Sequence, residues 1–360
     1  MLQRLSQREM LEQIAADWEP KIRAAWIASL EQISSSIILA RLLERLERGD
    51  VSGAVELLNI RDEMFARVEG ALVQAYNAGG QATVDTLPRL MDPQGNRVVF
   101  TWGVRNLQGE QELRDHAARA VRGITRDMRE GIAETLTESL ARGDNPTRAM
   151  RKIVGHGRVN PATGTRAGGN LGLTRPQMRA AANLEQALRD GDFAKLREII
   201  NPDSGWKLRD RRFDRTIAKA IRAETPVPAD MIGKIVSRYQ ERALDYRGKQ
   251  LALHETRIAL DKSRDDAFAQ QIAEGKLDQQ DVTATWRHTR RPNQRDQHAA
   301  MDGQTVVYGQ SFVAPDGTRI RYPHDPDAPL DHTMGCWCRL DYAVDYAGAA
   351  VRRYRERTGG

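Results

Sequence analysis

The sequence predicts a mainly α protein with a multi-helix N-terminal body and a small C-terminal α+β module. Three observations carry this prediction. Apolar residues recur at helical spacing over most of the first 275 positions. Hydrophobic residues make up 40% of the chain but aromatic ones only 6%, which suits helices packed through Leu, Ile and Ala better than a β-rich core. From Val282 onward, short β-prone runs alternate with turn signals such as Asp302-Gly303 and Asp316-Gly317. At 360 residues the chain is long enough for two or three domains, each with its own core. The division read from the sequence is a helical region with a β-arm over 1–106, a helical region with a basic Gly-rich loop and a long helix over 107–275, and the α+β module over 276–360.

Among residues 2–48, Leu2, Leu5, Ile14, Ile22, Trp26, Ile33, Leu42 and Leu46 mark helices. Pro20 divides them into two, because an interior proline loses a backbone bond and clashes with the preceding turn. Gly49-Asp50 ends the second, and a third runs from about Val51 to Ala78, stopped by Gly79-Gly80, so three antiparallel helices are expected. Asp92-Pro93-Gln94-Gly95-Asn96 reads as a turn and Arg97 to Trp102 as a β-prone run, in a hairpin or an extended arm. Helical spacing returns from Leu107 to Ala141. Asn145-Pro146 then opens a short helix through Val154, with Asn145 as its cap and Pro146 in its first turn. Further helices are expected from Thr174 to Arg189 and from Asp192 to Ile200. After Pro226 and Pro228 comes the longest periodic stretch, marked by Ile232, Ile235, Tyr239, Ala243, Tyr246, Leu253 and Leu260 and closed by Gly275, with Gly248 as a kink or interruption. A last helix covers about Asp345 to Arg355.

Only nine of the 55 basic residues are Lys. Arg suits forked contacts to phosphate or carboxylate, although a biased coding composition explains the excess equally well. Residues 155–172 hold six glycines, and 142–184 carry eight basic residues against the single acid Asp144. A flexible basic loop of this kind is a candidate for meeting double-stranded DNA through Arg148, Arg151, Lys152, Arg158, Arg166 and Arg175. The alternative is a surface loop with no partner, since it lacks aromatic residues to stack on bases. It is no phosphate-binding P-loop, because no Gly-Lys-Ser/Thr ending follows a strand. The basic cluster from Lys207 to Arg222 reads as a solvated helix face. Charges throughout the first 25 residues argue against a signal peptide, and no apolar run is long enough to cross a bilayer, so no membrane partner is expected. Two cysteines cannot build a disulfide framework, which points to a reducing compartment.

The stretch from Trp286 to Leu340 holds both cysteines and four of the seven histidines: His288, His298, His324 and His332. Cys336, Cys338, His298 and His332 together would satisfy a tetrahedral zinc, the only cofactor the residues suggest, although Cys-x-Cys is tighter than the usual ligand spacing. The alternative is two small buried thiols pinning the last strand. A Cys–His catalytic pair is a second possibility, without a known cysteine-enzyme signature. Arg287, Arg295, His298 and Asp302 also suit an internal polar network.

The order of these features resembles the phage Mu F-like family of head morphogenesis (minor head) proteins. The resemblance rests on Leu253-His254-Glu255-Thr256-Arg257-Ile258-Ala259; on Trp286, Arg287 and Arg291-Pro292; on Arg295 and His298-Ala299-Ala300-Met301-Asp302-Gly303; on Phe312 and Tyr322-Pro323-His324-Asp325-Pro326; and on Cys336-x-Cys338-Arg339-Leu340. It covers about residues 250–342. The family tends to place Arg between the cysteines, Asn before them and Thr-Glu in the helix. Here Trp337, Gly335 and Glu255-Thr256 stand instead.

The resemblance implies a structural protein with no catalytic residues, in which Trp286, Arg287, Arg295, His298, Asp302, Gly303, Cys336, Cys338 and Arg339 form the signature of a fold. It further implies association with the portal protein and the capsid inner surface or scaffold, and contact with packaged DNA. The location implied is the virion head at the portal vertex, with host cytoplasm during assembly. Two alternatives stay open: a toxin or nucleic-acid-acting enzyme built on the C-terminal module, and a host nucleic-acid-binding protein.

Overall fold

The computed structural model describes residues 6–87, 90–91, 97–103, 107–291 and 294–358. Leu2, Leu5, the turn at Asp92–Asn96, Asn106 and Pro292 lie outside them. The described chain is mainly α with a small α+β part at its C-terminal end. Helices α1 (Gln7–Ser36), α2 (Leu39–Glu47), α3 (Val51–Leu57) and α4 (Ala66–Thr86) are followed by a two-residue antiparallel pair, β1 (Leu90–Met91) and β2 (Arg97–Val98). Next come α5 (Leu107–Ala141), α6 (Pro146–Val154), the hairpin β3 (His156–Asn160) and β4 (Thr165–Ala167), α7 (Arg175–Asp190), α8 (Phe193–Ile200), α9 (Asp214–Ala223) and the 45-residue α10 (Ala229–Ala273). The C-terminal part contains β5 (Val282–Arg287), α11 (Asp296–Ala300), β6 (Thr305–Val307), β7 (Phe312–Val313), β8 (Arg319–Ile320), α12 (Leu330–Thr333), β9 (Arg339–Val344) and α13 (Tyr346–Thr358).

Helix ends follow side-chain chemistry where a good cap exists. The Asn145 side chain accepts from the Arg148 N–H, and Asp192 from that of Lys195. Thr174 and Gln177 form a reciprocal capping box. Two breaks expected from the sequence do not occur. Helix α1 runs through Pro20, because Ile22, Trp26, Leu30 and Ile33 on one stripe are all buried and that packing outweighs a penalty of about 3 kcal/mol. Helix α4 runs through Gly79-Gly80. Here the glycines admit close neighbours: a Cβ on Gly79 would lie 2.4 Å from the Ser263 hydroxyl, and one on Gly80 2.4 Å from the Trp102 ring. The single helix expected over Val51–Ala78 is instead α3 and α4, separated by a 3-10 turn at Asp62–Phe65. Gly248 interrupts nothing in α10, and the Gly-rich stretch is a β-hairpin followed by the buried Leu171 and Leu173.

The chain forms two compact units drawn from separated stretches. One comprises Met1–Ile22, Glu69–Ala117 and Ala252–Gly360; the other comprises Arg23–Val68 and Ala118–Leu251. In the second unit Trp26 stacks on Phe65 with ring centroids 5.3 Å apart, and the buried Arg247 donates to the Gly172 carbonyl at 2.7 Å. In the first unit, Tyr76 donates to Asp266 at 2.6 Å, and a three-stranded antiparallel sheet in the order β6-β5-β9 carries the C-terminal module. Burial alternates along β5, with Val282, Ala284 and Trp286 inward, as a half-buried strand requires. Trp286, Met301, Phe312, Ile320, Tyr322, Cys336, Cys338 and Leu340 share one core. Among the described residues, no helix is long and apolar enough to cross a membrane.

Candidate metal centre

Three separated segments bring the Cys and His side chains together. His288 follows the end of β5, where its N–H donates to the Asp302 carboxylate at 2.9 Å. His298 lies on the short helix α11, its ring edge-on to Trp286. Cys336 and Cys338 lie just before β9, and the alternation of that approach turns both sulfurs inward with Trp337 between them less buried. The Cys338 N–H donates to the Cys336 sulfur at 3.3 Å.

The ligand-type atoms converge. His298 Nδ1 lies 3.3 Å from Cys336 Sγ and 3.6 Å from Cys338 Sγ, and these three residues are 2–4% exposed. Their donor atoms all fall within 4.8 Å of one another, a spacing that could hold a metal ion. His288 Nδ1 lies 3.5 Å from Cys338 Sγ. Of the zinc set read from the sequence, the structure brings Cys336, Cys338 and His298 together. His332 stands behind His298, with its Nδ1 3.2 Å from His298 Nε2 and its own Nε2 2.9 Å from the Asp316 carboxylate. The hydrogen bond with Cys338 holds the Cys336 thiol well below its ordinary pKa, with His298 adding to it against burial. Cys338 moves upward, through that same bond and burial.

The remaining signature residues surround this cluster. Arg287 and Arg339 sit directly opposite across β5 and β9, and Asp341 receives both, at 2.8 and 3.4 Å, which removes the like-charge conflict. Gly303 (φ +83°) returns its N–H to the Trp286 carbonyl at 2.9 Å, and Arg295 donates to the Met334 carbonyl. His324 is buried with Nδ1 2.7 Å from Asp261 and Nε2 2.9 Å from the Cys336 carbonyl. Burial, the largest effect, would discharge its ring, but the bond and charge of Asp261 together with the Cys336 charge and carbonyl raise its pKa. Trp337, which replaces the expected Arg, lies between the guanidiniums of Arg257 and Arg291, 3.9 and 3.4 Å from its ring centre.

Of the six candidate DNA-contacting residues, three are held in ion pairs. Arg148 and Lys152 share Asp144 and Glu185, and Arg175 reaches Glu130 and Glu134. Arg151 on α6 and Arg158 on β3 are exposed, and Arg166 on β4 is half-buried. Arg209 of the second basic cluster is buried and bonded to Asp214, so that cluster is only partly a solvated face.

Sequence reasoning counted His288 among the four histidines of the module but left it out of the zinc set. The signal that could have found it is the period-two alternation of β5, which extends the buried series Val282, Ala284, Trp286 by one step. Fold and centre together define a mainly α protein carrying an α+β module around a buried Cys–His cluster. No family model matches the chain, and no curated protein or solved structure matches it significantly.

Proposed function

We propose that this chain is a structural minor head protein of a tailed phage or prophage. In this reading it associates with the portal protein and the inner capsid surface or scaffold, and assists packaging, retention or delivery of DNA. The observation that supports it is the convergence of the resemblance in space. Residues spread from Trp286 to Leu340 pack as one core, with Cys336, Cys338 and His298 turned inward, as suits a fold-defining set better than an accessible nucleophile. Contact with DNA, in the same reading, falls to the exposed Arg151 and Arg158 rather than to the paired Arg148, Lys152 and Arg175.

The test is co-purification of the full chain with portal rings, together with particles assembled without it. The expected result is stable association, and particles that form but package, retain or deliver DNA poorly. Normal, DNA-filled, infectious particles lacking the chain would overturn the reading. An activity on nucleic acid abolished by His298→Ala in a folded protein would favour the enzyme alternative instead.

A further inference from the structure

We propose that Cys336, Cys338, His298 and His288 form a four-ligand zinc site that ties together the three segments of the C-terminal module. The inference stands on side-chain geometry and is independent of the proposed role in a phage head. A tetrahedral zinc with Zn–S bonds of about 2.3 Å and Zn–N bonds of about 2.0 Å places sulfur and nitrogen ligands about 3.5 Å apart. Three of the four such edges are present, at 3.3, 3.6 and 3.5 Å; His288 meets Cys338 but stands outside the 4.8 Å cluster of the other three residues, and a shift of its ring toward Cys336 closes the fourth. The third involves His288, so the nitrogen that completes the set comes from the end of β5 and not from His332.

The outer hydrogen bonds assign the protons in the way a metal requires. Asp316 can only accept, so neutral His332 carries its proton on Nε2 and presents a lone pair at Nδ1. His298 Nε2 then donates to that lone pair, which leaves His298 Nδ1 free and aimed at both sulfurs. On the other side, His288 Nε2 faces the Gln294 side-chain carbonyl at 3.0 Å, which leaves its Nδ1 free toward Cys338. Ligand histidines are commonly oriented by such second partners. The amide of Cys338 donating to Cys336 Sγ suits a thiolate. On binding, both cysteines ligate as thiolates, and any proton they hold passes to solvent. Zn²⁺ with two thiolates and two neutral imidazoles carries no net charge, which allows the centre to be buried.

The Cys-x-Cys spacing fits this geometry. Alternation puts residues 336 and 338 on one face, and the intervening Trp337 is occupied elsewhere between Arg257 and Arg291. The module also has reason to need a cross-link. Its strands are two to six residues long, and its ligands come from positions up to fifty residues apart.

The test uses the full chain, stripped with a chelator and titrated with zinc and, separately, with Co²⁺. One zinc per chain is expected, together with the visible d–d bands of tetrahedral Co²⁺ and thiolate charge transfer. His288→Ala and Cys338→Ser should each abolish the tetrahedral spectrum. His332→Ala should keep one zinc and that spectrum, with affinity lowered about 10–100-fold. Circular dichroism checks that each variant is folded, and the wild-type titration stands even if a variant is not. A folded wild-type chain that takes up no zinc would overturn the site. Loss of the tetrahedral spectrum in His332→Ala with its retention in His288→Ala would overturn the assignment of His288.

Discussion

The unit formed by Arg23–Val68 and Ala118–Leu251 and the C-terminal module of the other unit are stabilised by different means. In the first, helices satisfy their own backbones and need only an apolar stripe: Trp26, Leu30 and Ile33 on α1, Met128, Ile132 and Leu136 on α5. Its charged groups pair around Asp144 and Glu185. In the module, β5 pairs with the distant β9, the other strands are only two or three residues long, and the core contains Cys336 and Cys338 beside the buried His298, His324 and His332. The difference teaches that one region is specified by repeated local pattern, whereas the other depends on a few long-range contacts, each of which matters more.

The strongest way to break that comparison is to remove one contact from each side. Trp26 and Trp286 are both fully buried, and truncation of either to Ala is expected to cost about 3–5 kcal/mol. The consequences should differ in extent. Trp286→Ala removes the ring that touches both Phe312 and His298, so residues 276–360 should become open to limited proteolysis while helical circular dichroism largely persists. Trp26→Ala should lower the main denaturation midpoint. Retained protection of the module in folded Trp286→Ala would show that its core is not centred on that residue. Chelator treatment, if the zinc site is present, should reproduce the selective exposure without any substitution.

Next in size is Gly80→Ala. In a helix this change ordinarily stabilises, but here the new Cβ would meet the Trp102 ring, whose N–H donates to Asn77 at 3.2 Å. A net loss of about 1–3 kcal/mol is expected from overpacking, read by thermal denaturation. A gain would instead mean that Trp102 moves aside freely.

The same positions show where the sequence was legible. Helices α6 to α8 could be placed closely because their signals, Asn145-Pro146, Thr174-Arg175-Pro176 and Asp192, act on the residues beside them. Pro20 and Gly79-Gly80 misled because their local preference is overruled by partners that sequence spacing cannot reveal: the buried stripe of α1, and Trp102 and Ser263. In the module β5, β6, β8 and β9 were legible as β-prone runs between turns, whereas the two-residue β7 carried no such signal. At its centre the residue types were visible, but not which histidine faces the sulfurs. His298 has a ring nitrogen on each side, and only the fold shows that the thiols lie at Nδ1 and His332 at Nε2.

Two carboxylates, Asp144 in one unit and Asp265 on α10 in the other, should respond to pH with opposite sign. Burial pushes Asp144 upward, but the bonds from Lys152 and Ser139 and the charges of Lys152 and Arg148 together hold it below its ordinary pKa, so its contribution is present above the unfolded value near 4 and is lost as pH falls through the folded one. Asp265 is pushed up to about 6 by burial and by neighbouring Asp266, against the hydrogen bond from Tyr342. A raised folded pKa gives the reverse dependence: its contribution is complete below about pH 4 and declines as pH rises through about 6. Asp265→Asn, a permanently neutral mimic, should therefore stabilise the protein at pH 7 by roughly 1–3 kcal/mol and flatten the profile between pH 4 and 7. Urea denaturation at several pH values reads this directly. An unchanged profile would mean that Asp265 is ionised in the fold without penalty.

The smallest expected effect is a gain. Gly233 lies in the first turns of α10, and a Cβ there would meet nothing within 4 Å. Gly233→Ala removes backbone freedom from the unfolded chain and improves helix propensity, so stability should rise by about 0.4–1 kcal/mol. Set beside Gly80→Ala, it separates two roles that the same residue plays inside helices: at 80 the missing side chain makes room for a partner, and at 233 it does not. A loss at Gly233 would mean that the new Cβ meets a neighbour on that face of α10 after all.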